Sequence, residues 1–224
     1  METIEYGRLD VTNDNREYTT NIRRFPDYCP ICNKIQEPKL VDAYLISSNF
    51  LELIFKCTNR DCNQLFLSKS YDNGYGFTIS DSFPKTAIKI KFDEVIENLS
   101  PLFVEIYNQA NSAEALDLKH VAGMGYRKSL EFLVKDYLIN FKNHDEETIK
   151  KTFLGACIKN FLSDNVKQVA ERATWLGNDE THYHRIWENK DIEDLKKLIQ
   201  LTNYHISSEI ETARYLEDMV NPKR

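Results

Sequence analysis

The sequence predicts an α+β chain, mainly helical, in which a small four-cysteine β unit precedes a bundle of about five helices. Three observations carry that prediction. Four of the five cysteines fall in two close pairs, Cys29/Cys32 and Cys57/Cys62. The residues between and just after the pairs alternate apolar and polar with the period of a strand. From Pro84 onward the apolar residues recur at three-and-four spacing, the period of a helix.

The totals bound the rest. A chain of 224 residues suits one or two domains and can bury a real core. Its 42% hydrophobic and 29% charged content is ordinary for a globular protein. No apolar run approaches the ~18 residues of a membrane span. The opening "METIEYGRLDVTNDNREYTT" is acidic and polar, unlike a signal peptide. These features predict a cytoplasmic protein with no membrane association. The net charge is −6, with 9 basic and 12 acidic residues up to Phe83 and 20 and 23 after it. Neither half has the cationic excess that wide, non-specific DNA binding needs.

Residues 1–27 lack apolar periodicity and read as an N-terminal arm with one short ordered piece around Ile22 to Phe25. Residues 28–83 read as the β unit. "LELIFK" places Leu51, Leu53 and Phe55 on one face and Glu52, Ile54 and Lys56 on the other. "AYLISS" and "QLFLSK" are strands on either side of it, and "SSN" and "DNG" are turn chemistry. Residues 84–224 read as the helical domain. Phe92, Val95, Ile96 and Leu99 open it. Ser100-Pro101 has the form of an N-cap followed by proline in the first turn. "LKHVAGMGYRKSLEFLVKDYLI" is the longest amphipathic stretch, with Val121, Met124, Leu130, Leu133, Val134 and Leu138 broadly on one side. "EETIKKTFLGACIKNFL" and "SDNVKQVAERATWLG" are two more helices, and "KDIEDLKKLIQLTNYHISSEIETARYLEDM" is a long last one.

The cysteine pairs predict a structural Zn²⁺ held by Cys29, Cys32, Cys57 and Cys62. Two intervening residues let both thiolates of "CPIC" reach one ion, and Zn²⁺ favours four such ligands in a tetrahedron. "CTNRDC" has four intervening residues and needs a wider turn. Four protein thiolates close the coordination sphere, which suits stabilisation of a small β unit rather than catalysis. Cys157, among helical apolar residues, reads as core.

Two features of the helical part stand out. "AGMGYRKSL" carries Gly123 and Gly125 inside a helix, each costing ~1 kcal/mol against alanine. Close approach of another backbone, within the bundle or across a dimer, would compensate. Arg127 and Glu131 are four apart and can pair on one face; Arg127 and Lys128 could instead face an anion or a partner. In "WLGNDETHYHR", Gly177 suits the residue that ends a helix. Asn178 can then cap a new turn, with His182 on the same face. A structural joint accounts for this stretch. So does a phosphodiester site, with His182 moving a proton and Arg172 or Asn178 stabilising charge.

"AGMGYRKSLEFLVKDYL", "WLGNDETHY" and "KDIEDLKKLIQLT" together resemble the bacterial family catalogued as domain of unknown function 4145, over roughly Pro84 to Leu216. A four-cysteine zinc ribbon is a frequent companion of that domain. The resemblance implies membership of the HEPN superfamily, helical bundles that usually dimerise. Many HEPN proteins are metal-independent ribonucleases of bacterial defence systems. Their motif is an arginine, a polar residue and a histidine four to six residues after the arginine. Asn178 matches the polar residue and His182 the histidine. Gly177 stands where the arginine falls, and Arg172 is the nearest arginine upstream.

Three functions follow as expectations. The chain is a homodimeric HEPN-like module that binds RNA or a defence-system protein. Alternatively it is a metal-independent endoribonuclease using Asn178 and His182 with Arg172 or Arg127. A third places nucleic-acid contact on the β unit through Arg23, Arg24, Lys56 and Arg60.

Overall fold

The computed structural model describes residues 7–13 and 16–220. The chain divides into two compact units, Met1–Ile88 and Lys89–Arg224. Among the described residues no helix is long and apolar enough to cross a membrane.

Among the described residues the first unit is a closed six-stranded barrel, within the three or more strands that the alternation predicts but closed rather than an open ribbon. Its strands are β1 Gly7–Asn13, β2 Arg16–Ile22, β3 Lys39–Ser47, β4 Phe50–Lys56, β5 Leu65–Asp72 and β6 Phe77–Phe83, in the spatial order β1-β2-β6-β5-β4-β3. β3 to β6 form an antiparallel meander. The β1–β2 hairpin closes it through parallel contacts to β3 at Thr12/Tyr44 and to β6 at Ile22/Phe77. The arm expected over residues 1–27 is therefore a hairpin across its middle; residues 1–6 and 14–15 lie outside the described residues.

The alternation in β4 does what its period requires. Leu51, Leu53 and Phe55 are buried, with Val11, Ile22, Ala43, Phe66 and Phe77 around them. Phe55 stacks on Phe66 with ring centroids 5.5 Å apart. The barrel interior also holds serines, which apolar periodicity does not reveal. Ser68 and Ser82 share a hydrogen bond of 2.8 Å, and Ser70 donates to the Leu51 carbonyl at 3.0 Å. Each of these three serine hydroxyls is thereby satisfied. At the β5–β6 turn, the Asp72 carboxylate accepts from the N–H groups of Gly74 and Gly76, both at positive φ.

Among the described residues the second unit has seven α-helices: α1 Glu94–Leu99, α2 Pro101–Ala115, α3 Lys119–Asp136, α4 Glu146–Lys151, α5 Leu154–Phe161, α6 Asp164–Asp179 and α7 Ile192–Asp218. The count exceeds five because a short helix precedes α2 and because the "EETIKKTFLGACIKNFL" stretch breaks at Thr152–Phe153. Ser100 precedes Pro101, but its hydroxyl donates to the Asp136 carboxylate instead of capping α2. On α3 the buried residues are Ala122, Gly123, Tyr126, Ser129, Leu130, Leu133 and Val134, while Val121 and Met124 are exposed. α7 opens with a capping box between Asp191 and Asp194 and buries Leu195, Ile199 and Ile206.

α3 ends in a π-helical turn at Tyr137–Phe141. That turn is tied to α7 through one carboxylate: Glu209 accepts from the Tyr137 hydroxyl at 2.6 Å and pairs with Lys142. A similar tie joins α2, α3 and α7, where Glu114 accepts from the Tyr126 hydroxyl at 2.7 Å and from Lys196 at 2.8 Å. Burial opposes ionisation of Glu114, Glu131 and Glu209, yet their lysine and tyrosine or arginine partners hold all three below the ordinary carboxylate range. Such groups add stability that is complete above the unfolded-state value near 4.5 and is lost as pH falls through the folded-state values. Asp136, pushed up by burial, acts in the opposite sense. Thermal melts between pH 7 and pH 3 should show the helical unit losing stability below about pH 4.5. A Glu209→Gln variant should be less stable at pH 7 and show a shallower pH dependence.

Candidate metal centre and the Asn178–His182 turn

The four cysteines converge at one end of the barrel. Cys29 and Cys32 lie between β2 and β3, and Cys57 and Cys62 between β4 and β5. Their sulfurs all lie within 4.8 Å of one another, and Cys32 Sγ is 3.8 Å from Cys57 Sγ. Such a cluster can hold a metal ion.

Each loop is shaped by backbone hydrogen bonds. In the first, the Cys29 carbonyl accepts from the Asn33 N–H at 2.8 Å and the Cys29 N–H donates to the Lys34 carbonyl at 3.2 Å. In the second, the Asn59 carbonyl accepts from Cys62 at 3.1 Å and from Asn63 at 2.8 Å, and the Cys57 N–H donates to Gln64 at 2.9 Å. Asn59 thus opens the tight turn, and the wider spacing of "CTNRDC" is absorbed ahead of it. Asn33 and Asn63, each just after a second cysteine, sit at φ 55° and 48°. Asparagine tolerates that left-handed conformation better than most residues.

Gln36 and Asn59 complete the surroundings. The Gln36 amide donates to Cys57 Sγ at 2.9 Å, while its oxygen accepts from the Thr58 N–H at 2.7 Å, the Thr58 hydroxyl at 2.6 Å and the Asn59 N–H at 3.1 Å. One side chain ties the first loop to the second. Asn59 Nδ2 approaches Cys32 Sγ at 3.8 Å. Thr86 braces the first loop by donating toward the Pro30 and Ile31 carbonyls at 2.5 and 2.8 Å. The thiols are unequal. Burial pushes Cys29 up to about 12. At Cys32 burial is outweighed by the Lys34 N–H and the Asn59 amide, which bring it down to about 7. Gln36 carries no marker in the sequence; a polar residue four after Cys32 is its only trace.

The helical candidates separate into two groups. α6 runs straight through Gly177 to Asp179, so Gly177 does not end it. The missing side chain serves packing instead. A Cβ there would lie 2.7 Å from Arg127 Cγ and 2.9 Å from Arg127 Cβ, so α3 crosses α6 at this glycine. Gly123 and Gly125 likewise admit Glu180 and Ala110, contacts within this chain. At the crossing Arg127 Nε donates to Asn178 Oδ1 at 3.0 Å, and its Nη1 lies 3.4 Å from Glu131. Lys128 is exposed and forms no ion pair among the described residues.

Arg172 is not part of this group. It donates to the Gln168 carbonyl at 2.7 Å and lies over the Trp175 ring. Beyond α6 the chain makes one further turn, with the Thr181 and His182 N–H groups bonded to the Asn178 carbonyl at 2.9 and 3.0 Å. His182 is exposed, and its imidazole has no hydrogen bond to another described residue. The buried charged member of this stretch is Asp179, 6% exposed, beside buried Leu176 and Gly177. Its carboxylate accepts from the N–H groups of Ile186 at 3.0 Å and Trp187 at 2.7 Å. Trp187 then stacks on Trp175 with centroids 6.0 Å apart. Asp179 therefore pins the loop from α6 to α7, a role its charged neighbours in the sequence conceal. No family model, no curated protein and no solved structure matches the chain.

Proposed function

We propose that the chain is a dimerising, non-catalytic interaction module that joins a zinc-stabilised β unit to a HEPN-like helical unit and associates with RNA in a bacterial defence or regulatory system. The observation that carries the non-catalytic reading is the engagement of Arg127 with both Asn178 and Glu131. A guanidinium bonded to an amide, and sharing the Glu131 carboxylate with Lys135 at 2.8 Å, is already engaged and poorly disposed to hold a phosphate. Proton transfer worth ~10²–10⁴ in rate needs an oriented imidazole, and among the described residues His182 has no partner that fixes its ring or tautomer.

The donor set supports zinc. Four thiols with no carboxylate or imidazole suit a borderline-soft ion, and four ligands leave no open position for substrate. With zinc–sulfur bonds of ~2.3 Å, the edge of a tetrahedron is about 3.8 Å, the separation of Cys32 and Cys57. The metal supplies cross-linking of the two loops when bound. Exposed Leu216, Met219 and Val220 at the end of α7, at 73%, 74% and 77%, offer apolar surface for a second copy.

Purified protein incubated with mixed RNA should yield no fragments, and its mass in solution should be twice that of one chain. A monomer at micromolar concentration removes the dimer. One observation favours a second reading, a metal-independent endoribonuclease: Arg127 brings a guanidinium to the glycine that stands where the motif has arginine. Cyclic-phosphate RNA fragments, lost in both His182→Ala and Arg127→Ala, would establish that reading instead.

A further inference from the structure

The outer face of the barrel carries a second, unassigned arrangement. A hollow of about 350 Å³ beside the second cysteine loop is lined by Lys39, Lys56, Cys57, Thr58, Arg60 and Asn63. Lys39 and Lys56 are direct cross-strand partners on β3 and β4. Like charges placed opposite each other destabilise a strand pair. No carboxylate lines the hollow among the described residues. Among the described residues Lys39, Lys56 and Arg60 form no ion pair, whereas nearby Lys34 and Lys69 pair with Asp61 and Glu52. With zinc on four thiolates the centre that Cys57 belongs to carries two negative charges, so the three cations leave an excess of one positive charge around this space, which a phosphate would relieve.

The same face continues into an aromatic surface. Phe50, Glu52, Ile54 and Lys56 point outward from β4. Phe50 is paired with Tyr71 of β5, and Glu52 with Tyr44 of β3. Phe50, Tyr71 and Tyr44 are 58%, 43% and 40% exposed. The run from Phe50 to Lys56 is about 20 Å long at strand rise. That length suits the shorter single-strand sites, which begin at about 4 nucleotides. Two carboxylates share the face. Glu52 is paired with Lys69 at 3.9 Å, and Asp42 accepts from the Ala43 N–H at 2.8 Å.

We propose that this face of β3, β4 and β5 binds single-stranded nucleic acid, with phosphate in the Lys39–Lys56–Arg60 hollow and bases stacked on Tyr44, Phe50 and Tyr71. An acidic or phosphorylated peptide would use the cations but would leave the aromatic platform idle. The inference rests on the RNA-association part of the reading above and locates it.

The test is fluorescence anisotropy of the metal-loaded, full-length protein with labelled oligo-uridine and oligo-thymidine of about 12 nucleotides, across a salt series. Affinity should fall with salt at a log–log slope of about −2, the release expected for three phosphates on a single strand. Lys39→Ala/Lys56→Ala/Arg60→Ala should flatten that slope and weaken binding at least ~10-fold. Phe50→Ala/Tyr71→Ala should weaken it ~10-fold and leave the slope unchanged. Metal content and circular dichroism serve as fold controls, since all five side chains are exposed. The two oligonucleotides separate an RNA preference from single strands in general. No binding at low salt, unchanged binding by both barrel variants, or equal binding of a phosphorylated peptide that ignores Phe50 and Tyr71 overturns the inference. Binding kept in the barrel variants but lost in Arg127→Ala overturns it while leaving RNA association standing in the helical unit. The mass and cleavage assays judge the rest of the module reading separately.

Discussion

Protein purified without chelator should carry close to one zinc per chain, and removing that zinc should unfold the barrel while the helical unit stays folded. The four sulfurs sit on two loops that the chain separates by 24 residues, from Cys32 to Cys57. Beyond them the barrel end is joined chiefly by Gln36 and Thr86. Structural zinc binding to small domains has apparent free energies of order 10 kcal/mol near neutral pH, comparable with the whole stability of a domain. Cys57→Ser should therefore abolish metal binding and the cooperative melting of the β unit. Gln36→Leu should be milder, since the ligands remain; loss of a supporting hydrogen bond costs ~10–100-fold in metal affinity. Both tryptophans, Trp175 and Trp187, lie in the helical unit. Tryptophan fluorescence should thus stay native in the stripped protein while far-ultraviolet circular dichroism loses its β contribution. A stripped protein whose melting matched the zinc form would remove the structural role of the metal.

The sequence shows the metal-ligand set plainly because cysteine spacing reports chemistry directly. It also shows β4, where one face buries Leu51, Leu53 and Phe55. The closing hairpin is harder to see. In "GRLDVTNDNREYTTNI" the Thr, Val, Tyr and Ile content and the central Asn-Asp-Asn were the available signals. Burial alternates there, with Asp10 and Thr12 exposed about buried Val11 and with Thr19 and Asn21 exposed before buried Ile22, but Val11 and Ile22 stand eleven positions apart with polar Thr20 at an inward position between them, so the apolar residues alone trace no period. β6 hides for a different reason: its Ser82 points inward to meet Ser68, and a bulge at Lys69/Ser70 interrupts the period.

The helical site shows a comparable division. Periodicity places Leu130, Leu133, Leu195, Ile199 and Ile206 in the core. It cannot show which helices cross at which residue, because that depends on contacts 51 positions apart such as Arg127 to Asn178. Gly177 was readable as a special position, but two different demands select glycine. One is a left-handed backbone at a helix end; the other is close approach of a neighbour. Only the second operates here, since α6 continues past Gly177 and the space is taken by Arg127. Arg172 is next to that stretch in sequence yet faces the Gln168 carbonyl and Trp175, away from it.

Those two demands make opposite predictions for substitutions, and alanine distinguishes them. At Gly155, within α5, a Cβ meets nothing within 4 Å. Gly155→Ala removes the entropic cost of glycine in a helix and should stabilise the helical unit by about 0.5–1 kcal/mol. At Gly177 the same gain in helix propensity is available, but the new Cβ falls 2.7 and 2.9 Å from Arg127 Cγ and Cβ. Arg127 Cβ is fixed to the α3 backbone, so rotating the side chain cannot relieve the clash, and α3 and α6 must move apart. Overpacking of this kind costs about 1–3 kcal/mol, which exceeds the propensity gain. Gly177→Ala should therefore destabilise by ~1–2 kcal/mol, and Gly177→Val by more, because its branched carbons enter the same space. Urea unfolding followed by tryptophan fluorescence reads both glycines through one probe, since Trp175 is two residues from Gly177 on the same helix. A Gly177→Ala protein as stable as the Gly155→Ala protein would mean that α3 does not cross α6 at this residue. The Arg127–Asn178 bond, and the reading of an engaged guanidinium built on it, would fall with that crossing, whereas the Arg127–Glu131 pair lies within α3 and would remain.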